Sequence, residues 1–373
     1  MRVRWGFCAL AGPSVHAQPT PPAAKATADT SLPFHITEVA TFEAPWSMAF
    51  LPDGRMLVTQ KKGQMILFDP KSGARASLSG VPPVVTTNQA GLMDIALAPN
   101  FRSTRKIYFS FVEAGEGKTS GVVLATAVLD TEGAALRDVR VIYRSHPSIE
   151  RASSYSARIA FSRDGRHLFF ASGERVQPDH AQNPKSTLGK LLRLNLDGTP
   201  AKGNPLATRG FDPAIWTYGQ RNLTGLALDR RGRVWEAEMG PRGGDEVNLI
   251  KAGANYGWPK ASNGTNYDGS DIPDHRPGDG YEAPHVWWTP SFSPGSLAYY
   301  DGRLFSGWRN SLFVTGLSGM ALERIAIDGE RARKADHWNM GMRLRSVRAG
   351  ADGALYLLED VGKGRMLRLT PKR

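Results

Sequence analysis

Apolar residues along this chain come in short runs closed by glycine, asparagine or aspartate turns, and they never sustain a helical period. One phrase recurs: a small or apolar strand end, a turn on Asp-Gly or a near equivalent, then an apolar strand. It reads AFLPDGRMLV at 49–58, AFSRDGRHLFF at 160–170 and ALDRRGRVWEA at 227–237. Shorter copies are AYYDGRLF at 298–305 and VRAGADGALYLL at 347–358. A degenerate copy, ALAPNF…KIYFSF at 96–111, places Pro99-Asn100 in the turn. Asp-Gly supplies the positive φ of a tight hairpin, and the flanking Val, Phe, Tyr and Leu runs read as strands. A further strand follows a glycine turn in MLVTQKKGQMILFD at 56–69.

The copies start near 49, 96, 160, 227, 298 and 347. Six small antiparallel sheets repeated in this way predict an all-β, six-bladed β-propeller of four-stranded blades. A two-domain β-sandwich is the rival, but it does not predict one recurring turn phrase. Each blade alone leaves both faces uncovered; a ring covers them and leaves a polar channel. The expected organisation is a leader over 1–17, a flexible lead-in over 18–35 and the propeller over 36–373.

Composition narrows this picture. Of 373 residues, 40 are Gly and 25 are Pro, which supplies the turns. The single Cys excludes an intrachain disulfide and a four-Cys zinc site. No apolar run approaches the roughly 20 residues of a membrane helix. A net charge of +12 invites an anionic partner. No basic run or groove-reading helix favours nucleic acid, because the arginines are scattered over loops. Arg2 and Arg4 precede a short apolar stretch, and Val15-His16-Ala17 offers a small-x-small cleavage site. That grammar predicts an exported, periplasmic protein whose leader removes Cys8. No coiled-coil pattern argues for an assembly; monomer and homodimer both fit.

Candidate chemistry lies between the repeats. GPRGGDEVNLIKAGANYGWP at 240–259 sets Asp245 and Glu246 beside Gly243-Gly244, a pattern that suits a hard cation or, equally, a self-satisfied turn. Arg343 and Arg345 stand two apart, on one face of a strand, where two guanidinium groups suit a multivalent anion or simply face solvent. Trp287, Trp288 and Phe292 are candidates for stacking on a sugar or cofactor, or for blade packing.

The 240–259 segment, with IWTYGQRNLTGLALD at 215–229, resembles the soluble aldose sugar dehydrogenases of the glucose/sorbosone dehydrogenase family. The similarity continues through 45–63, 88–101, 171–199 and 344–360. The resemblance implies a six-bladed propeller using pyrroloquinoline quinone (PQQ) and calcium. It implies oxidation of an aldose at C1 to the lactone, with electrons passed to an external acceptor. By the same resemblance, Gln89, Arg221, Asn222, Arg343 and Arg345 hold the cofactor. Gly240 and Pro241 offer backbone carbonyls to a calcium ion, and Glu246 and Tyr256 hold a structural calcium. Guanidinium groups for carboxylates and amides for ring heteroatoms are suitable chemistry for a tricarboxylated quinone.

One departure stands out. The family's general-base His position falls on Ser154, within SSYSARIAFS at 153–162. A serine hydroxyl takes no proton near neutral pH without a base of its own, and general-base catalysis is worth about 100- to 10,000-fold. His146 and His180 are near in sequence, and either is a candidate for a relocated base if its loop reaches in. The alternative expectation is therefore a catalytically impaired or non-catalytic propeller that binds PQQ or another ligand. Ser346 stands where the family often has Asp, which predicts weaker support of the late arginines.

Overall fold

The computed structural model describes residues 32–150 and 153–372. The leader over 1–17 and most of the lead-in lie outside the described residues. Six four-stranded antiparallel sheets follow one another along the chain. Their innermost strands are Pro45–Phe50, Leu92–Leu97, Ser156–Phe161, Leu223–Leu228, Pro294–Tyr300 and Leu344–Ala349, and these number blades 1 to 6. Each innermost strand packs against the next, and the sixth against the first, so the ring closes. Closure is completed by the N-terminal strand Phe34–Glu43, which pairs with Lys363–Pro371 as the outermost strand of blade 6. The propeller thus starts at Phe34, inside the stretch expected to be lead-in.

The hydrophobic core is divided into interblade layers. In blade 2, Ile107 and Phe109 face blade 1 with Leu57 and Leu67, whereas Tyr108 and Val112 face blade 3 with Leu168 and Phe170. Equivalent layers join blades 3 to 4, 4 to 5, 5 to 6 and 6 to 1. Successive side chains point to opposite faces of a strand, and both faces are covered here. This is why Met56–Gln60 is buried at every position instead of alternating.

The recurrent phrase forms the hairpin between the first and second strands of a blade. Gly54, Gly165, Gly232 and Gly353 take positive φ there. The aspartate also acts as a clamp. Asp53, Asp164 and Asp229 each accept a backbone N–H two residues on and pair with Arg55, Arg166 and Arg233. The copy at 298–305 departs from expectation. Tyr300 ends its strand, and residues 301–310 make a longer connection holding one short helix, Ser306–Trp308, before Ser311–Gly316. Gly302 is not at positive φ, so Asp301-Gly302 closes no tight hairpin.

Every innermost strand carries a register shift near its start, at Pro45/Ser47, Leu92/Ile95, Ser156/Ile159, Leu223/Gly225, Pro294/Ser296 and Leu344/Ser346. Bulges of this kind re-aim side chains at a rim. Antiparallel order places the starts of the innermost strands at the same end as the hairpins between second and third strands. The Asp-Gly hairpins occupy the opposite end.

Candidate functional site

The expected site residues gather at the bulged end of the channel. Gln89 lies in the loop entering blade 2, Ser154 in the loop entering blade 3, and Arg221 and Asn222 in the loop entering blade 4. Arg343 and Arg345 mark the entry to blade 6. Gln89 Oε1 accepts the Ser154 backbone N–H at 2.9 Å, and the Ser156 hydroxyl donates to Asn222 Oδ1 at 3.1 Å. The Ser154 backbone sits at φ +50°, and Ser156 and Ala157 are also left-handed. Such geometry costs free energy at non-glycine residues and persists where surrounding contacts enforce it.

Arg221 is buried by its own loop and by an excursion from blade 4. Its backbone N–H donates to Glu238 Oε2 at 2.5 Å. Its guanidinium donates to the carbonyls of Met239 and Gly240 at 3.0 and 2.8 Å and to the Tyr267 hydroxyl at 3.1 Å. It also lies over the Trp258 ring. Tyr267 and Trp258 belong to residues 250–285, which join the third and fourth strands of blade 4 and are anchored by the apolar contact of Ala181, Trp258 and Ile272. Arg221 Nε is buried with no hydrogen-bond partner among the described residues.

Arg343 and Arg345 both pair with Asp360, at 2.7 and 2.6 Å. Burial opposes ionisation of Asp360, but the two guanidinium groups outweigh it and hold its pKa at about 2. Asp360 supplies the support expected to be missing at Ser346, whose hydroxyl is buried without a partner among the described residues. Lys61 joins this cluster. Its ammonium donates to the Asn88 carbonyl, and burial, then the Arg345 charge, lower its pKa. Three cations thus share one carboxylate, which leaves local positive charge for an anion.

The expected metal residues also converge. Gly240, Glu246 and Tyr256 line one small cavity with Glu238 and Arg221; Pro241 follows Gly240 in the same turn. Asp245 shapes that turn: one carboxylate oxygen accepts the Gly240 N–H, and the other accepts the N–H groups of Phe292 and Ser293. A Cβ at position 240 would strike the backbone of Gly243 and Gly244, so only glycine fits there. Glu246 stands opposite Glu238 in the strand pairing, with Glu236 two residues along. Burial and mutual repulsion raise the pKa of Glu236 and Glu246, and burial pushes Glu238 up to about 7. Uncompensated carboxylates at this depth are costly. No group of three or more His, Cys, Asp or Glu metal ligands forms among the described residues, so any ion here must draw on carbonyl oxygens. The Tyr256 hydroxyl is taken up by the Leu249 carbonyl, which leaves its backbone carbonyl as the available oxygen.

The structure does not bring every candidate in. His146 turns onto Asp212 at 3.2 Å, and His180 packs near Lys190. Trp288 and Phe292 stack on each other at 4.9 Å as core residues, whereas Trp287 is half exposed on an outer groove. Lys61, Glu174, Glu238, Tyr267 and Asp360 were not picked out from the sequence. Lys61 and Asp360 carry one weak signal: each follows directly on a second strand, at the hairpin facing the channel mouth.

Comparison with known proteins agrees with this architecture. The glucose/sorbosone dehydrogenase family profile matches residues 42–368. The chain is 35% identical to the aldose sugar dehydrogenase YliI of Escherichia coli over 336 residues, 88% of this chain and 90% of that protein. The apo-form crystal structure of the soluble aldose sugar dehydrogenase from Escherichia coli superposes with a TM-score of 0.87 at 34% identity, covering 91% of this chain and all of that one. The PQQ-bound aldose sugar dehydrogenase of Streptomyces coelicolor gives 0.75 at 31% identity, covering 95% of this chain and all of that one. This chain belongs to the glucose/sorbosone dehydrogenase family.

Proposed function

We propose that the protein is a PQQ- and calcium-dependent aldose dehydrogenase, oxidising the sugar at C1 to the lactone and passing electrons to an external acceptor. The observation that carries this reading is the cationic cluster of Lys61, Arg343 and Arg345 around the single carboxylate of Asp360, at the mouth shared with Arg221. The donor set fits the cofactor. Guanidinium and ammonium groups hold carboxylates at its rim, and the amides of Gln89 and Asn222 serve heteroatoms in its plane. PQQ, when bound, supplies a two-electron quinone oxidant. Gly240 and Pro241 would offer carbonyl oxygens to calcium beside it. Glu246 and the Tyr256 carbonyl would hold a second ion, which would compensate the buried carboxylates.

The second reading, a PQQ-binding propeller with impaired turnover, rests on Ser154 at the position of the family's base. One experiment addresses both. The purified chain is reconstituted with PQQ and calcium, and dye reduction is followed with a panel of aldoses. Cofactor binding with aldose-dependent reduction supports the dehydrogenase; binding without turnover supports the second reading; no binding at micromolar PQQ overturns both. The leader grammar at 1–17 supports export to the periplasm.

A further inference from the structure

The C1 hydroxyl proton needs an acceptor in this chain, a question that rests on the dehydrogenase reading. Ser154 cannot accept the C1 hydroxyl proton unaided, yet a buried carboxylate stands directly behind it. Glu174 is 1% exposed, and neither of its carboxylate oxygens has a hydrogen-bond partner among the described residues. A buried carboxyl left without partners calls for an explanation, and a catalytic role is one. Its position beside Ser154 is enforced from several sides. The Gly173 N–H donates to the Tyr155 carbonyl, Ser172 pairs with Ser156, and Arg175 Nε donates to the Ser153 carbonyl. A Cβ at position 173 would collide with the Ser154 carbonyl, so glycine permits the two segments to touch. On the far side, the Glu174 backbone N–H donates to the Arg221 carbonyl at 2.9 Å. Glu174 therefore lies between the position of the missing base and the arginine at the channel mouth.

We propose that Glu174, acting through the Ser154 hydroxyl, is the proton acceptor for the sugar C1 hydroxyl in this chain. The C1 hydroxyl gives its proton to Ser154 Oγ as the Ser154 proton passes to Glu174. The C1–H bond breaks and its electron pair leaves with the hydrogen as hydride, for which PQQ, when bound, would be the two-electron acceptor. C1 becomes the lactone carbonyl, and Glu174 later returns its proton to solvent. The electrostatics agree with this geometry. Burial raises the Glu174 pKa, and the Arg221 charge, then the neighbouring amides of Val176 and Gln177 and the Ser154 hydroxyl, which lie close without meeting hydrogen-bond geometry, restrain that rise. A raised carboxylate is a better base than a free one and is matched more closely to neutral pH. The charged groups acting here are Arg221 and the adjacent Arg175, whose guanidinium is turned toward Ser120. No histidine among the described residues acts on Glu174.

The test compares wild type, Glu174→Gln and Glu174→Asp, each alone and with Ser154→His, for PQQ affinity, kcat across pH, and the infrared carboxyl band of the unloaded protein. Glu174→Gln is expected to keep PQQ affinity within about twofold and to lower kcat by about 100-fold. It should abolish the acidic limb of the pH profile, and Glu174→Asp should restore part of it. In unloaded wild type, a protonated carboxyl band absent from Glu174→Gln should titrate above the ordinary glutamate range. With Ser154→His the imidazole becomes the acceptor, so Glu174→Gln should then cost far less. An equal cost in both backgrounds would make Glu174 a structural prop and overturn the proposal. So would a Glu174→Gln enzyme as fast as an active wild type, which leaves the dehydrogenase reading standing. A wild type that binds PQQ but turns over no aldose overturns both.

Discussion

Arg158 and Asp94 meet at 3.3 Å on the channel axis, and around this pair all six innermost strands converge. Asp94 belongs to blade 2 and Arg158 to blade 3. The Ser47 hydroxyl of blade 1 and the Arg348 guanidinium of blade 6 donate to the same Asp94 oxygen, while the Ile159 N–H donates to the other. Arg158 donates to the Thr224 carbonyl of blade 4 and the Gly295 carbonyl of blade 5, with its guanidinium over the Trp46 ring at 3.9 Å. The pair is thus a polar pin at the centre of the ring, beneath the candidate site.

Removing one half of this pin should be severe. Asp94→Asn leaves a buried guanidinium without its countercharge and is expected to cost about 3–5 kcal/mol in urea unfolding. The Asp94 pKa is lowered: burial opposes ionisation, but Arg158 and Arg348 outweigh it. Its contribution should therefore be fully present above the ordinary carboxylate pKa and be lost as pH falls through the depressed value. A cost under about 1 kcal/mol would show that the ring does not depend on the pin.

Cofactor affinity should depend on the late arginines. A hydrogen bond to a charged group contributes about 1.5–3 kcal/mol, and about 1.4 kcal/mol is tenfold in affinity. Arg345→Ala is expected to weaken PQQ binding at least about tenfold. Arg343→Ala should do less, since its side chain is 41% exposed against 19% for Arg345. Direct titration of the unreacted cofactor checks this, and unchanged affinity in both variants would place the cofactor elsewhere.

Restoring an imidazole should raise turnover. Histidine tolerates left-handed backbone better than most residues, so φ +50° at position 154 is no obstacle. Ser154→His is expected to increase kcat at least about tenfold, as general-base catalysis allows. Steady-state rates at saturating aldose provide the measurement; no gain would mean that the wild-type route is already complete.

Calcium should stabilise the unloaded protein through the buried acids of blade 4. Chelation is expected to lower the wild-type Tm, and Glu246→Gln should blunt that response. Thermal scans with and without added calcium decide it. An identical shift in the variant would remove Glu246 from the ion site.

Export predicts a mature chain beginning at Gln18. Intact mass of the protein recovered from the periplasm should show loss of residues 1–17; an unprocessed chain confined to the cytoplasm would overturn the leader reading.

The sequence by itself determined the blades. Asp-Gly turns and apolar strand runs are local signals, and their recurrence gave the fold class and the approximate start of each sheet. It also placed Gln89, Ser154, Arg221, Asn222, Gly240, Arg343 and Arg345 in the segments between the repeats. Tertiary structure decided which end of the channel those loops share, because strand direction becomes a common end only once the ring closes. It decided that Asp360 supports both late arginines, that Lys61 joins them, and that Tyr267 reaches Arg221 from residues 250–285. It also set Glu174 behind Ser154. These relationships join side chains from different loops or blades, and no local periodicity records them. Even the turn phrase was ambiguous where packing intervened: Asp301-Gly302 has the hairpin letters, but the following chain runs on to Ser311 before it pairs.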